Sequence, residues 1–418
     1  MSSVLGSGIL VLPGLAARIA GPGSLVAWGF LAFATLPFAF TFASLSARRP
    51  ESGGIYGFVK EAFGSRAGVV TGWLFALWVI TGVPAVALIA ASYLGYAFPL
   101  SRPETYLLGY LIVGAAYAVN LRGIVVSNRV QLAVIGAIVA LLIGAIAFSG
   151  ARVHAANFQP FLPFGWLPIG TAAALIFWSF LGYENVSNVA EEFQDPARDF
   201  PRSVSISVAL VGGLYFAAAF VTVGTAAYSA GGSVAPFAAL LGNLVGPYGE
   251  DGTAILAVFI IFGVVNAYTT GMSRVMYAVA RDGGFPSALA HLDPRTRAPD
   301  RALYVLLGGS TVVFTAYYFA GVDLTAALLV ASGAALLTYV LGSAAGVRLR
   351  PPILGAPWAS RWFPAISLAI SLVVLPFIGP LVFVGLGTVL AAVAYSAVSP
   401  RSRRGRRGDR APEKSGEP

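Results

Sequence analysis

Two short polar interruptions lie within long apolar stretches of this sequence. The first is Gly6-Ser7-Gly8, followed by Pro13, and the second is FWSFLGYENVSN at residues 177–188. Glycine and proline disfavour a continuous helix, and unwound backbone at membrane depth is tolerated only where it is buried in protein or lines a cavity. Amide N–H groups freed at such a break can hold a carboxylate, and freed carbonyls can hold an ammonium group. The pair of breaks therefore suits an α-amino acid zwitterion.

The composition identifies the environment of these breaks. Of the 418 residues, 57% are hydrophobic and only 10% are charged, whereas a soluble domain carries about 25% charged residues. The chain is therefore a polytopic membrane protein. Cysteine is absent, which excludes disulfides and thiolate chemistry. His154 and His291 fall in polar connections, where we expect solvated side chains rather than metal ligands.

Apolar runs of about 20 residues, the length that crosses a bilayer, predict twelve transmembrane helices. The predicted intervals are 3–20, 25–47, 68–98, 104–121, 124–149, 167–190, 203–229, 252–281, 302–320, 323–347, 363–378 and 380–398. The breaks fall in the first and sixth intervals, five helices apart. Because five is odd, a repeat of five helices would be inverted across the membrane, and interrupted segments at matching places in two halves indicate a transporter binding site.

Basic residues are distributed asymmetrically about these intervals. With residue 1 inside, 23 lysine and arginine residues lie in the inner connections and the tail, against three in the outer connections, Arg18, Arg102 and Arg152. This asymmetry predicts that both termini are cytoplasmic, and it attributes the net charge of +9 to orientation rather than nucleic-acid binding. We expect the basic tail, residues 399–418, to be disordered; contact with anionic lipid headgroups is the alternative.

Three motifs carry a family resemblance. They are GSGILVLP at residues 6–13, PESGGIYGFVKEAFG at 50–64 and GYENVSNVAEEFQDPARDFPRS at 182–203. In order and spacing they resemble the amino acid–polyamine–organocation transporter superfamily. Together with GWLFALWVITGVPAVALIAA at 72–91, they look most like its bacterial exporters of methionine and branched-chain amino acids. The resemblance implies a single domain in the bacterial cytoplasmic membrane.

The implied fold is all-α and LeuT-like. It consists of two inverted repeats of five helices, residues 1–149 and 166–347, followed by two further helices within 363–398. Helices one and six are expected to be discontinuous, because these are the helices that contain the two breaks.

The resemblance also implies roles for residues at the breaks. Backbone amides at Ser7 and Gly8 would hold the substrate carboxylate, and carbonyls near Val4, Trp178 and Leu181 would hold the amino group. Trp178 would stack over the bound side chain as a gate, the alternative being a tryptophan packed in the bundle. The predicted substrate-binding residues are Val4, Gly6, Ser7, Gly8, Trp178, Leu181 and Gly182.

Glu184 is a carboxylate within the sixth interval. Such a group inside the bilayer costs at least a few kcal/mol and is a functional-site hypothesis by default. The resemblance implies proton sensing or gating, and the alternative is a structural cap on the broken backbone. Many relatives carry a lysine in helix five, where this chain has Ile138 or a neighbour, so coupling would fall to Glu184 or to a sodium ion.

Further polar residues lie at membrane depth, and they either line the pocket or tie helices together. They are Thr81, Asn266, Tyr268 and Thr269. The sequence contains no GxxxxGK[ST] phosphate-binding loop, which excludes a nucleotide-driven pump, and it shows no nucleophile with a base or metal cluster, which argues against an enzyme. We expect no cofactor, and the oligomeric state stays open.

The expected function is secondary active transport, namely efflux of methionine, leucine, isoleucine and valine driven by a proton gradient. Import or exchange of amino acids or amines is the alternative. One feature departs from this picture: the five residues before Gly6 span under 8 Å at 1.5 Å each, whereas half a bilayer requires roughly 15 Å. We therefore expect the native start to lie upstream of Met1, and a native N-terminus mapped at Met1 would contradict this.

Overall fold

The computed structural model of the chain describes residues 6–48, 54–123, 128–182, 196–229, 231–352 and 359–398. Within these ranges the chain forms α-helices and short 3₁₀ turns and contains no strand. The helices are α1 Gly8–Ala20, α2 Ser24–Arg48, α3 Ile55–Phe63, α4 Ser65–Ala97, α5 Arg102–Leu121, α6 Asn128–Ser149, α7 Leu167–Ile176, α8 Pro196–Gly224, α9 Pro236–Val245, α10 Pro247–Arg281, α11 Asp300–Ala320, α12 Leu324–Leu349, α13 Ala359–Val374 and α14 Val382–Val398.

Eight stretches of the described chain are long and apolar enough to cross a membrane. They are Gly8–Leu45, Ser65–Ala97, Leu132–Arg152, Arg202–Gly224, Pro247–Arg281, Asp300–Ala320, Leu324–Leu349 and Ala359–Val398. The all-α, multi-pass membrane class predicted from composition is confirmed. A helix overlaps each of the twelve predicted intervals.

Two of the eight stretches contain a sharp turn that divides them. The first turns at Gly21–Gly23, where Gly21 has φ +60°, and the last turns at Gly379, which has φ +66° and ψ −151°. Glycine adopts positive φ at little steric cost, unlike residues with a side chain. The second turn falls in Ile378-Gly379-Pro380, between the last two predicted intervals.

Helices α3 and α9 were not predicted, because each is far shorter than a membrane span. α3 begins after Gly54 and ends before Gly64, and it buries Ile55, Phe58 and Val59 against α4 and α12. α9 packs mainly against α10. Each of these helices lies between two long ones along the chain.

The long helices form two groups. α1, α2, α7 and α8 pack on one another, and α4, α5, α10 and α11 do the same. α1 is buried on every side from Gly8 to Ala17, as expected for a helix inside a bundle. α4 also lies deep, in contact with α3, α5, α10, α11, α12 and α14. The interrupted part of α1 therefore lies where the two groups meet.

Candidate functional site

The break before α1 and the turn that follows α7 lie against each other. α7 ends at Ile176, Phe177–Phe180 form a 3₁₀ turn, and Leu181 is extended. The indole Nε1 of Trp178 donates a hydrogen bond of 3.4 Å to Oγ of Ser7. The structure thus brings together Ser7 and Trp178, two of the predicted site residues, from the start of α1 and the turn after α7.

Gly8 allows this close approach. A Cβ at Gly8 would lie 2.5 Å from Oγ of Ser179, 2.8 Å from Cδ1 of Trp178 and 3.1 Å from Cα of Ser179. The last of these is backbone, which cannot rotate away. A residue larger than glycine would therefore separate the two interrupted helices. Gly6, two residues earlier, is partly exposed.

Tyr339 of α12 contacts the backbone that follows the 3₁₀ turn. Gly182 has φ +114°, and its N–H donates to the hydroxyl of Tyr339 at 3.3 Å. The Tyr339 ring packs edge-on against Phe38, Phe42 and Phe177 at centroid separations of 5.5, 4.8 and 5.5 Å. Leu181 and Gly182, both predicted site residues, therefore lie beside a rigid aromatic cluster.

On the other side of the break, α1 is fixed by α4 and by the loop before α9. The hydroxyl of the fully buried Tyr93 donates to the carbonyl of Leu10. The carbonyl of Ser233 lies so close to Gly14 that a Cβ there would clash with it. These two contacts close the bundle between the break and the far end of α1.

A small cleft lies beside Trp178, between the 3₁₀ turn, α4 and α10; its empty space amounts to about 230 Å³, part of which is open to solvent. Its aromatic walls are edge-on pairs: Trp78 and Trp178 with centroids 6.4 Å apart, and Trp78 and Tyr268 with centroids 6.1 Å apart. The aliphatic lining residues are Val79, Val83, Val86, Val264 and Val265. Apolar walls with a few polar groups are typical of a small-molecule site.

Glycine is also required in the wall of this cavity. A Cβ at Gly82 would lie 2.7 Å from Cη2 of Trp178. The α4 backbone therefore lies directly under the indole ring. Together with Gly8, Gly82 fixes where the Trp178 side chain can lie.

Two buried polar groups at the site have no hydrogen-bond partner among the described residues. They are Oγ of Ser179 and Nε1 of Trp78. Leaving a buried polar group unpaired costs about 1–3 kcal/mol. Both groups are therefore available to a polar ligand beside the breaks. Sequence reasoning missed both, although Ser179 lies within the interrupted stretch that it identified.

Asn266 and Thr269 tie α10 to α5 rather than line the cavity. Nδ2 of Asn120 donates to Oδ1 of Asn266 at 2.8 Å and to Oγ1 of Thr269 at 3.3 Å. Oδ1 of Asn120 accepts from the hydroxyl of Thr270. Asn120 was not predicted, because nothing near it in the sequence indicates partners about 150 residues away.

The other two polar candidates have different surroundings. Thr81 is buried, and its hydroxyl donates to the carbonyls of Leu77 and Trp78 in its own helix. Tyr268 lines the cavity beside Trp78. Of the four polar residues proposed as lining or tying groups, Tyr268 is the one that the structure places at the cavity.

Several predicted features lie outside the described residues, namely Val4, Glu184 and the basic tail. Ile138, which the family resemblance places near the position of a lysine, is fully buried in α6. In the part of the chain that the structure describes, no three His, Asp or Glu side chains come together as metal ligands.

Comparisons with known proteins identify the family of the chain. The family model described as Amino acid permease matches residues 1–399. The chain is 37% identical over 349 residues to the uncharacterized amino acid permease YecA of Bacillus subtilis (strain 168), covering 84% of this chain and 82% of the relative. It is 33% identical over 354 residues to the L-methionine/branched-chain amino acid exporter YjeH of Escherichia coli (strain K12), covering 83% of each.

A third relative is the branched-chain amino acid permease BcaP of Bacillus subtilis (strain 168). It is 30% identical to the chain over 331 residues, which is 72% of this chain and 68% of the relative.

Proposed function

Since the chain belongs to the amino acid permease family, within the amino acid–polyamine–organocation superfamily, we propose that it exports neutral hydrophobic amino acids. Methionine, leucine, isoleucine and valine are the proposed substrates. The observation that carries this proposal is the contact of Ser7 and Gly8 with Trp178 and Ser179, directly beside an apolar cavity.

The proposed architecture has twelve transmembrane helices, with two inverted repeats of five and two helices at the end. The order of long and short helices supports it. The short helix α3 lies between α2 and α4 in the proposed first repeat, and the short helix α9 lies between α8 and α10 in the proposed second repeat. We further propose that the protein lies in the bacterial cytoplasmic membrane with both termini inside, as the basic residues indicate.

Recognition of the carboxylate is assigned to the start of α1. The first N–H groups of a helix have no partner within it, and the Ser7 side chain makes no capping bond to them. Together with the helix dipole, these groups favour an anion. The hydroxyl of Ser179, which lies against Gly8, would add a further donor. The carbonyls of Trp178 and Leu181 would accept from the ammonium group.

Selection of the side chain is assigned to the cavity. Five valines and three aromatic rings line it, and burial of an aliphatic side chain there gains about 25 cal/mol per Å² of apolar surface. A charged side chain would lose its hydration without a partner. Trp178 lines the cavity and also contacts Ser7. This position supports the proposal that Trp178 acts as a gate over the bound side chain.

Direction and coupling form the second part of the proposal. Export driven by a proton gradient would use Glu184, with a sodium ion as the alternative coupling species. One relative is named an exporter and another is named a permease, a word that gives no direction. Import or exchange by the same site is therefore the competing function.

The test is flux of labelled leucine and methionine in proteoliposomes containing the purified chain, with pH and sodium gradients imposed separately. Efflux that follows the pH gradient and is lost in Glu184→Gln would support the proposal. Glu104→Gln is the matched control, because glutamine keeps the capping box at the start of α5. Flux that follows sodium would overturn proton coupling. Movement of other amino acids without leucine or methionine would overturn the substrate assignment.

A further inference from the structure

Three exposed arginines lie where α12 ends and α13 begins. α12 ends at Leu349 and α13 begins at Ala359, and each helix belongs to an apolar stretch long enough to cross a membrane. The arginines are Arg348, Arg350 and Arg361, and together they are called the basic patch. They therefore lie at one end of two neighbouring membrane-spanning stretches.

Contacts between the two helices place these arginines at a similar depth. A Cβ at Gly333 would lie 3.2 Å from Cγ2 of Ile378. A Cβ at Gly346, further along α12, would lie 3.0 Å from Cβ of Pro364, which is nearer the start of α13. The helices are therefore antiparallel. At 1.5 Å per residue, the basic patch lies between about 3 and 6 Å beyond the Gly346–Pro364 contact.

The side chains of the basic patch form no hydrogen bond or ion pair with any described residue. Two of them lie over aromatic rings: Cζ of Arg348 is 5.6 Å from the ring centroid of Phe63, and Cζ of Arg361 is 5.7 Å from that of Trp362. A ring covers one face of a planar guanidinium and leaves the N–H groups at its edge free. α12 and α13 contain no Asp or Glu.

Other basic residues of the described chain have protein partners. Lys60 forms an ion pair with Asp282 at 2.6 Å, and Arg301 donates to the carbonyl of Ala288 at 3.3 Å. Arg361, by contrast, lies in the first turn of α13, where the helix dipole disfavours a basic side chain. The positive charge of the patch is therefore available to an anion.

An exposed apolar stripe runs from the basic patch along α13. Trp362, Ile366 and Val373 are 57%, 40% and 61% exposed, and their spacing places them on one face of the helix. Ser367 and Ser371, on the other side, are buried. The stripe belongs to a membrane-spanning stretch, and a tryptophan at its end is typical of the membrane interface. Positive charge at the end of an apolar stripe fits a molecule with an anionic head and a hydrocarbon chain.

We propose that the basic patch and this stripe bind an anionic phospholipid. Its phosphate lies on Arg350 and Arg361, and an acyl chain packs along Trp362 and Ile366. Guanidinium groups bind phosphate oxygens through parallel N–H donors, and basic pockets between membrane helices bind anionic headgroups. A zwitterionic headgroup would bring an ammonium group against the arginines. The site is independent of the proposed substrate and of the direction of transport.

The experiment measures lipid binding to the purified full chain in detergent. Equal amounts of phosphatidylglycerol and phosphatidylcholine with the same acyl chains are added, and native mass spectrometry counts the bound molecules of each. Arg350→Gln/Arg361→Gln is the test variant. Arg295→Gln/Arg297→Gln is the matched control, because it removes the same charge from two exposed arginines in the loop between α10 and α11.

The unmodified chain should prefer phosphatidylglycerol, and this preference should fall about fivefold for each arginine removed in the test variant. The control should keep it, and inorganic phosphate should not displace the lipid. An equal loss in both double variants would show that the lipid responds only to the net charge of the chain, which would overturn the proposal. A dimer mass without bound lipid would also overturn it, because a second copy would then cover the stripe.

A second measurement covers the case in which the test variant does not fold. Lipids with bromine on the acyl chain quench tryptophan fluorescence on contact, and the difference between the unmodified chain and Trp362→Phe gives the quenching of Trp362. Brominated phosphatidylglycerol should quench Trp362 more than brominated phosphatidylcholine does. Trp166, 69% exposed just before α7, should be quenched equally by both, as measured with Trp166→Phe. Equal quenching of Trp362 by the two lipids would contradict the site.

Discussion

Trp178 and Ser7 are 171 residues apart in the chain, yet the indole Nε1 of one lies 3.4 Å from the hydroxyl oxygen of the other. Because Gly8 also lies against Ser179, the start of α1 and the turn after α7 are in direct contact. A displacement of either interrupted helix must therefore change the geometry of both.

The first prediction concerns this contact. Trp178→Phe keeps an aromatic ring but loses the N–H, and at 3.4 Å the bond is long, so we expect a stability loss below about 1 kcal/mol. Leucine flux should fall several-fold, because the gate is no longer tied to α1. Thermal unfolding and flux in proteoliposomes measure the two effects, with the exposed Trp166→Phe as control. Unchanged flux would contradict a gating role for Trp178.

A second prediction tests the close approach at Gly8. Gly8→Ala introduces a Cβ that meets the backbone at Ser179, so it should abolish flux while the protein still inserts into the membrane. Gly144→Ala on α6 is the matched control, since nothing lies within 4 Å of a Cβ there. Leucine binding measured by titration should be lost in the first variant and kept in the second. If Gly8→Ala bound leucine normally, the start of α1 would not be part of the binding site.

The third prediction concerns substrate size. Gly82→Ala pushes on Cη2 of Trp178 from 2.7 Å and should narrow the cavity. We expect flux of leucine and methionine to fall more than flux of alanine, and competition assays with the three amino acids measure the ratio. Gly271→Ala on α10 has open space around the new methyl and should leave the ratio unchanged. A uniform loss for all three would indicate damage to the fold rather than to the side-chain pocket.

A fourth prediction distinguishes residues that hold α5 and α10 together from residues that line the cavity. Asn120→Ala removes the donor to Asn266 and the acceptor for Thr270, and buried polar contacts of this kind in membranes contribute about 0.6 kcal/mol and at most about 1.7 kcal/mol. The unfolding temperature should fall, with the half-saturating leucine concentration unchanged. In a double-mutant cycle with Asn266→Ala the losses should not add. Additive losses would show that the two amides act separately.

The fifth prediction concerns the end of α10, where Asp282 accepts from Lys60 at 2.6 Å and from Tyr56 at 3.0 Å. The ion pair is about 40% exposed, with side-chain values of 39% and 41%, so its loss in Asp282→Asn should cost no more than about 1 kcal/mol. Thermal unfolding of this variant measures that cost. A loss of several kcal/mol would show that the pair is more than a surface contact.

Tyr56 gives the same contact a pH dependence. Burial, followed by the charge of Asp282 and the hydrogen bond to it, raises the pKa of Tyr56 above its ordinary value. The folded state therefore favours the protonated phenol, and its contribution is complete below about pH 10 and is lost as the pH rises further. In Tyr56→Phe the free energy of unfolding should therefore fall less steeply with rising alkaline pH than in the unmodified chain, as measured by unfolding at a series of pH values.

Features set by local sequence could be predicted. The membrane class follows from composition, and the positions of the helices follow from apolar runs. The start of α1 at Gly8 and the turn at Gly379 follow from residues that disfavour continuous helix. The short helices α3 and α9 were not predicted, because each is too short to span a membrane and too long for a simple turn.

Contacts between distant residues could not be predicted in the same way. The hydrogen bond of Tyr93 to Leu10 joins residues 83 positions apart, and Asn120 meets Asn266 across 146 positions. In an apolar sequence, the residues around a single tyrosine or asparagine do not indicate which distant residue is its hydrogen-bond partner. The similar depth of Arg350 and Arg361 depends likewise on the packing of α12 against α13.

The lengths of α4 and α10 have a mechanical consequence. With 33 and 35 residues, they extend about 50 Å, well beyond a hydrocarbon core of about 30 Å, and they pack on each other more extensively than any other described pair. Trp78 and Tyr268 lie near their midpoints. A rigid tilt of the pair by about 10° would swing each end by about 4 Å while barely displacing these two rings. Trp78 and Tyr268 therefore lie near the pivot of such a tilt. The helix ends would move at both membrane surfaces while the distance between these two rings stays nearly constant.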